Sequence, residues 1–532
     1  MRQASTSRHR CRPWIERPLY ISIGREQGGP SRVSMTQQQW MPVAEALKLA
    51  HDRNSAGDLA GAEDLSRQVL KTQPRHAAAL HLLGVVLHRK GDRQGAIDAL
   101  KQAVAADAGV ALYHTNLGEM LRQAGRVDEA VSEAGCAVAL EPRNVAALNN
   151  LGVALYDREE HEQAAACYRR AIELEPGSPQ AYSNLGNALQ ALGKPGEALP
   201  FYRRAIALEP DYVDAHNNLA MTLLLSGEFE EGWRELEWRR RRSGRSQTQP
   251  AAPEWQGESF AGKTLLVMGE EGHGDSIHFM RYLPAMAARG GSLVVAVHRP
   301  LVGLTRMLLP GAEVVALEAP RPRFDLWCSM MSLPRLFGTT LESVPAAVPY
   351  LSVDPATAER WRDRLAGGGM KVGVVWSGER RYLHNYRRAI PAQRLVPLLG
   401  MAGVRWFSLQ VGAPAAELAG LPAGVTDLSP MLTDFSETAG ALLALDLVIS
   451  TDTSVPHLAG ALARPTWVML AFVPDWRWML DRDTSPWYPT MRLFRQPAPG
   501  AWDDVVRRIG VELRAVLAGR RDRLTPSRPG IG

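Results

Sequence analysis

The densest concentration of chemically able side chains lies between Asp446 and Leu462. An apolar run ends there in Ser450-Thr451-Asp452-Thr453-Ser454, and Val455-Pro456-His457-Leu458 follows at once. The pattern predicts a strand over Asp446–Ser450 and a helix over Val455–Leu462. Thr453 or Ser454 can cap that helix, and Pro456 suits its first turn, where a missing N–H is no loss. Free N–H groups and the positive end of the helix dipole then form a seat for a diphosphate. The same pattern also serves as an ordinary capped helix. A second set, Gly269-Glu-Glu-Gly-His-Gly-Asp275, follows the apolar Thr264–Met268 and brings His273 and Asp275 to the head of a helix expected from about Asp275 to Ala288. An Asp in that place caps a helix or accepts a proton. A third set recurs in the first half of the chain. Asn116, Asn150, Asn184 and Asn218 stand 34 residues apart, with Leu82 at the first such place. A carboxamide donates and accepts at once, so a row of them in one groove can hold a peptide backbone whatever its sequence.

These asparagines belong to a wider period. Leu83-Gly84, Leu117-Gly118, Leu151-Gly152 and Leu185-Gly186 share the 34-residue step, with Leu219-Ala220 next. So do Ala62, Ala96, Ala130, Ala164 and Ala198 with Gly232, and Pro74, Pro142, Pro176 and Pro210 with Ala108 in the gap. Ala103, Ala137, Ala171 and Ala205 form one more series. Small residues let two antiparallel helices approach closely, and proline stops the second before the next repeat. Gly57, Gly91, Gly125, Gly193 and Gly227 mark the turn inside each hairpin, where a positive φ is cheapest; Glu159 breaks that series. Repeats are expected at about 43–76, 77–110, 111–144, 145–178 and 179–212, with a last hairpin to about 241. They stack into one superhelix with a concave inner surface. Arg239–Arg242 and the polar stretch to Pro253 end the pattern and read as a solvated helix end.

From Lys263 the pattern becomes strand, tight loop, helix, strand. Thr264–Met268 and Leu293–Val297 are strands of a first array. After a short helix near Ala356–Leu365, Lys371–Trp376, Val404–Leu409, Asp446–Ser450 and Thr466–Leu470 make a second. This is the signature of parallel sheets. Two such lobes suggest a cleft, and ligands of open α/β sheets bind outside the carboxyl ends of the strands.

Composition narrows the classes. A chain of 532 residues holds about three domains, and 45% hydrophobic with 22% charged residues is a folded composition. No run approaches the ~20 apolar residues of a membrane helix. Cys11, Cys136, Cys167 and Cys328 are scattered, which argues against a structural zinc site and for a reducing, cytoplasmic compartment. The net charge of +5 sits in residues 1–34, whose seven Arg and two Glu give 7 − 2 = +5. The neutral remainder removes the case for a globally basic nucleic-acid binder. That Arg-rich stretch lacks the apolar core of a secretory signal and precedes Met35. It reads as a disordered tail or an upstream misread start, with an Arg-rich targeting peptide the alternative.

The 34-residue period resembles the tetratricopeptide (TPR) repeat. The Asp452–Leu458 segment resembles the donor-site motif of family 9, heptosyltransferase-like glycosyltransferases of the GT-B fold, and Gly274-Asp275 is similar to the Gly-Asp of their acceptor lobe. Glu271–Tyr282 and Gly232–Arg239 look like bacterial proteins that fuse TPR repeats to such a transferase. The asparagine row is similar to that of O-GlcNAc transferase, another TPR–GT-B fusion. The resemblance covers about 43–515. It implies an α-superhelix, a TPR solenoid, followed by an α/β GT-B fold of two Rossmann-like lobes. The expected boundaries are 1–40 for the Arg-rich disordered tail, 41–243 for the superhelix, 250–365 for the acceptor lobe, 366–518 for the donor lobe and 519–532 for a flexible tail.

It further implies inverting, metal-independent transfer from a nucleotide sugar, which is substrate rather than cofactor. Asp275 would be the general base, with His273 as alternative. Asp452, Thr453, Ser454 and His457 would line the diphosphate, and Arg387-Arg388 would offset its charge. Gln410, in Ser408-Leu-Gln410 at a strand end, would meet base or ribose. The repeats would recruit a protein or peptide. Asn385 stands where those fusions carry an aspartate, and Ala389 where they carry serine. These departures keep open a non-catalytic TPR scaffold with a degenerate GT-B body. A small-molecule or lipid-linked glycan acceptor is a further alternative. Asp481-Arg-Asp483 has the Asp-x-Asp spacing of a metal site, but it follows the aromatic Asp475-Trp-Arg-Trp478 and no strand end, and reads as a solvated turn.

Overall fold

The computed structural model describes residues 20–24, 38–242, 250–270, 272–378 and 388–526. The chain divides into two compact units, Met1–Ala188 and Leu189–Gly532.

The first unit is a run of helical hairpins. Val43–Ser55 pairs with Leu59–Thr72, Ala77–Arg89 with Arg93–Ala106, Ala111–Gln123 with Val127–Leu140, and Val145–Asp157 with His161–Leu174. The small-residue series lies where helices meet: Ala62, Ala96, Ala130 and Ala164 are fully buried. A Cβ on Gly118 would stand 3.3 Å from both Ala130 O and Ala134 N, so the Leu-Gly pair sets how near two backbones come. Asp58 and Asp92 cap second helices by accepting from Gly61 N and Gly95 N, each at 2.9 Å. The intra-hairpin turns take φ of 87°, 87° and 75° at Gly57, Gly91 and Gly125, and Glu159 keeps the same backbone at 65°. The break in the glycine series is therefore one of residue type alone, and Glu159 bears left-handed strain.

In the segment expected as an Arg-rich tail, β1 (Tyr20–Gly24) pairs antiparallel with β2 (Gln38–Pro42). Tyr20-Ile-Ser-Ile alternates as a strand does, but four residues are too short a signal to stand out in a polar segment.

The second unit opens with the helices Pro195–Leu208, Val213–Ser226 and Phe229–Leu236 and continues into two parallel sheets. The first holds β3 (Thr264–Met268), β4 (Ser292–Val297), β5 (Glu313–Ala316) and β6 (Leu326–Ser329) in the order β5-β4-β3-β6. The second holds β7 (Met370–Val375), β8 (Val404–Ser408), β9 (Val425–Asp427), β10 (Leu447–Thr451), β11 (Thr466–Leu470) and β12 (Met491–Arg495) in the order β12-β11-β10-β7-β8-β9. Strands covered on both faces read as continuous apolar runs, which is why β3, β7, β10 and β11 were legible. The polar-flanked β5, β6, β9 and β12 gave no such run.

The final hairpin belongs to the core of this unit. Phe229 and Trp233 are buried against Trp476 and Trp487, and the Trp233 indole donates to Thr339 O at 2.9 Å. The reading of Arg239–Arg242 as a solvated end fails at Arg239. Its guanidinium is buried and meets both oxygens of Glu270 at 3.1 Å, with Ser329 Oγ at 2.8 Å and Ser332 Oγ at 3.0 Å. A run of like charges in sequence does not reveal that one member turns inward to a carboxylate supplied by the exit of β3. Arg241 fits the solvated reading, lying over the Trp238 ring with an exposed side chain.

Candidate functional site

Two strand–helix turns of the second unit meet. The turn after β3 leads into the helix His273–Phe279, which begins two residues earlier than expected. Asp275 is therefore in its third position and not at its cap; Oδ2 accepts from Gly272 N at 2.9 Å, tying the helix start to itself. The turn after β10 leads into the helix Ser454–Ala461, whose cap is Thr453, with Oγ1 at 3.4 Å from Val455 N. A Cβ on Gly274 would stand 3.1 Å from His457 Cδ2 and 3.4 Å from Ser454 Cα, so glycine there is what lets the two helix heads touch.

The sequence-derived residues divide into those brought together and those that are not. Asp452, Thr453, Ser454 and His457 share the β10 turn and its helix, and His457 Nε2 is 4.0 Å from Asp452 Oδ1. Arg388 lies close enough to act electrostatically on both Asp452 and His457. Arg387 and Asn385 lie outside the described residues. His273 packs by its ring on His298 at 4.9 Å and Phe435 at 5.2 Å. Gln410 is engaged by the main chain. Its oxygen accepts from Trp376 N at 3.1 Å and Ser377 N at 3.0 Å, and its nitrogen donates to Ser377 O at 2.9 Å. It shapes the turn after β7, where a buried strand end leaves main-chain donors and an acceptor that a side-chain amide can satisfy together. Asp481 and Asp483 are exposed, as a solvated turn requires.

Arg477 was missed. It is buried; Nη2 pairs with Asp275 Oδ1, and Nη1 with Asp475 Oδ1 at 2.8 Å. The guanidinium rests over the Trp476 ring at 4.3 Å. Burial alone would depress its pKa, but Asp475 and Asp275 outweigh it and hold the pKa above the ordinary arginine value. No periodicity could have flagged it; the aromatic residues on either side of it, Trp476 and Trp478, were the available hint.

The electrostatics of the site follow from burial. Desolvation, reinforced by Asp475, pushes the Asp452 carboxyl up to about 6 against the pull of Arg388 and Arg477. Desolvation with Arg477, Arg281 and Arg388 holds His457 well below the usual histidine range. His273 is lowered by burial and then by His298. The site thus offers a readily neutralised carboxyl, neutral imidazoles and fixed guanidinium charge.

Among the described residues, no group of three His, Cys, Asp or Glu side chains could hold a metal ion, and no helix is long and apolar enough to cross a membrane. The four asparagines are each half-buried; Asn116 Nδ2 is 2.7 Å from His81 Nε2 in the first unit.

Comparison with known proteins bears on the repeats. Tetratricopeptide repeat families match residues 47–111, 89–135, 179–212 and 201–234, and a TPR repeat family matches 154–193. The chain carries tetratricopeptide repeats, and such repeats point to protein interaction. Protein FlbA of Caulobacter vibrioides is 30% identical over 324 residues, 56% of this chain and 54% of its own. The chain thus spans about half the length of that relative. Among solved structures, MamA is 26% identical with a TM-score of 0.30, over 32% of this chain and 92% of its own. YrrB, described as a TPR protein with an unusual peptide-binding site, is 22% identical with a TM-score of 0.30, over 32% and 88%.

Proposed function

We propose that the second unit is an inverting, metal-independent, nucleotide-sugar-dependent glycosyltransferase of the GT-B kind, and that the repeats bind a protein acceptor or partner through Asn116, Asn150, Asn184 and Asn218. The observation that carries this reading is the meeting of the two turns, which sets Asp275 one residue from the Gly274 contact with Ser454 and His457. In the reaction the acceptor hydroxyl oxygen bonds to the anomeric carbon as the bond from that carbon to the diphosphate breaks. The hydroxyl proton passes to Asp275, or to His273 as alternative. The diphosphate leaves with the electron pair, met by N–H groups at the head of Ser454–Ala461 and by Arg388.

The test is titration of the purified protein with a panel of nucleotide sugars, followed by assay of released nucleotide. Combined Thr453→Ala and Ser454→Ala should weaken nucleoside-diphosphate binding ten- to a hundredfold, about 1.5–3 kcal/mol, with the fold intact. Unaltered affinity would move the donor site elsewhere.

One observation favours a second reading. Both Asp275 oxygens are already engaged, by Gly272 N and by Arg477. A carboxylate so occupied suits a scaffold whose α/β body no longer turns over. Binding of no nucleotide sugar at all would select it.

A further inference from the structure

We propose that Tyr488 is a positioning residue of the candidate donor site: its hydroxyl bridges two buried histidines and fixes His457 as the tautomer that carries its proton on Nε2, toward Asp452. The functional consequence rests on the donor-site reading above; the protonation pattern rests on geometry alone.

Tyr488, in the chain between β11 and β12, is fully buried. Its oxygen stands 3.0 Å from Nδ1 of His278 and 3.1 Å from Nδ1 of His457. A phenol has one hydrogen to give and lone pairs to accept with. The nearby Tyr350 hydroxyl donates to Ile277 O at 3.0 Å and is 3.5 Å from the Tyr488 oxygen, a longer and weaker alternative. The Tyr488 hydrogen therefore goes to one imidazole and the Tyr488 lone pair to the other. The receiving ring must present a bare Nδ1 and carry its proton on Nε2. The donating ring must carry its proton on Nδ1. Both rings are neutral, since burial with Arg281 and Arg477 nearby holds each well below the usual histidine range.

The far nitrogens decide which ring is which. His457 Nε2 is 4.0 Å from Asp452 Oδ1. His278 Nε2 is buried without a hydrogen-bond partner, its ring caged by Phe279, Trp476 and Trp487. A proton on His457 Nε2 gives the Asp452 carboxylate an N–H to face and leaves His278 Nε2 as a bare acceptor among aromatic rings. The reverse sets a lone pair against a carboxylate and buries an orphan N–H, so both ends are worse. The chain runs from His278 Nδ1–H to the Tyr488 oxygen, from Tyr488 O–H to His457 Nδ1, and from His457 Nε2–H toward Asp452.

The surroundings hold this chain still. Trp478 stacks on His457 at 5.2 Å and 20°, and the Arg281 guanidinium lies 4.5 Å above the Tyr488 ring. A Cβ on Gly460 would come within 2.4 Å of that ring, so the helix Ser454–Ala461 presses directly on it. A hydrogen bond on one imidazole nitrogen sets what the other can do. Here it makes Nε2 a fixed donor beside the head of that helix, available to Asp452 or to a diphosphate oxygen.

Full-length protein labelled with 15N-histidine tests the assignment by two-bond 1H–15N correlation, with His457→Gln and His278→Gln identifying the two rings. The expected wild-type pattern is His457 protonated on Nε2 and His278 on Nδ1. Tyr488→Phe should shift His457 to a mixture or to the Nδ1–H form and weaken uridine diphosphate binding about five- to tenfold, with an unchanged circular dichroism spectrum. His278→Gln should leave His457 protonated on Nε2, and this keeps the test available should Tyr488→Phe fold poorly. A reversed wild-type pattern, or a His457 tautomer indifferent to Tyr488→Phe, overturns the proposal. Wild-type protein that binds no uridine diphosphate counts against the donor site, while the tautomer spectrum still judges Tyr488.

Discussion

In the first unit the helices pack against helices one or two steps away in the chain. In the second, Asp275 reaches Arg477 across 202 residues and His278 reaches Tyr488 across 210. The chemistry gathers in the region of long-range contacts. Repeats spread their stability over many similar neighbour contacts, so a single position carries little of it. A buried polar network held by distant segments concentrates its energy, because each unpaired group inside is heavily penalised.

The contrast can be broken most forcefully at Asp275. If the long-range contacts serve catalysis, Asp275→Asn should lower transfer about 10²–10⁴-fold while donor affinity stays nearly constant. An Asn variant with wild-type turnover would reduce Asp275 to a tie between Gly272 and Arg477.

Next comes Arg239. Replacing it with Met removes the buried ion pair with Glu270 and should destabilise the second unit by about 3–5 kcal/mol. All of the 14 tryptophans except Trp14 and Trp40 lie in that unit, so their fluorescence follows its unfolding. Lys101→Ala, which removes the exposed pair with Glu129 in the first unit, should leave the melting curve unmoved. Equal effects from the two substitutions would erase the distinction between the regions.

Asp452 sharpens it through pH. Its folded pKa is raised by burial, so its contribution to stability is complete below the unfolded value near 4 and lost as pH rises through about 6. Between about pH 4 and about pH 7, wild-type protein should lose roughly 2 kcal/mol relative to Asp452→Asn in denaturant titrations. Parallel stability curves for the two proteins would mean that Asp452 is solvated in solution.

The smallest effect belongs to the repeats. Glu159→Gly relieves a left-handed backbone and should raise the stability of the first unit by about 0.5–1 kcal/mol, seen as a modest rise in the helical melting temperature. A fall would show that the Glu159 side chain matters more than its φ.

The repeats were legible because the period of one element repeats the constraint at each copy: Ala62, Ala96, Ala130 and Ala164 each state the same close approach. The strands β3, β7, β10 and β11 were legible as apolar runs, and Thr453 as a cap, because these are local properties of a few adjacent residues. The hold of Gln410 on the main chain was not legible, because a strand-end amide looks the same in sequence whether it faces a ligand or the main chain. Arg239 misled because Arg241 and Arg242 in the same run are solvated and it is not.

By itself the sequence determined the hairpins, the two parallel arrays and the Asp452–His457 turn, since periodicity, capping and burial pattern act over short stretches of chain. Only the tertiary structure decided that Arg477 holds Asp275, that Glu270 receives Arg239, and that Tyr488 stands between His278 and His457. Those pairings depend on which buried donors and acceptors packing brings within hydrogen-bond distance, and separations of 31 to 210 residues leave no local trace of them.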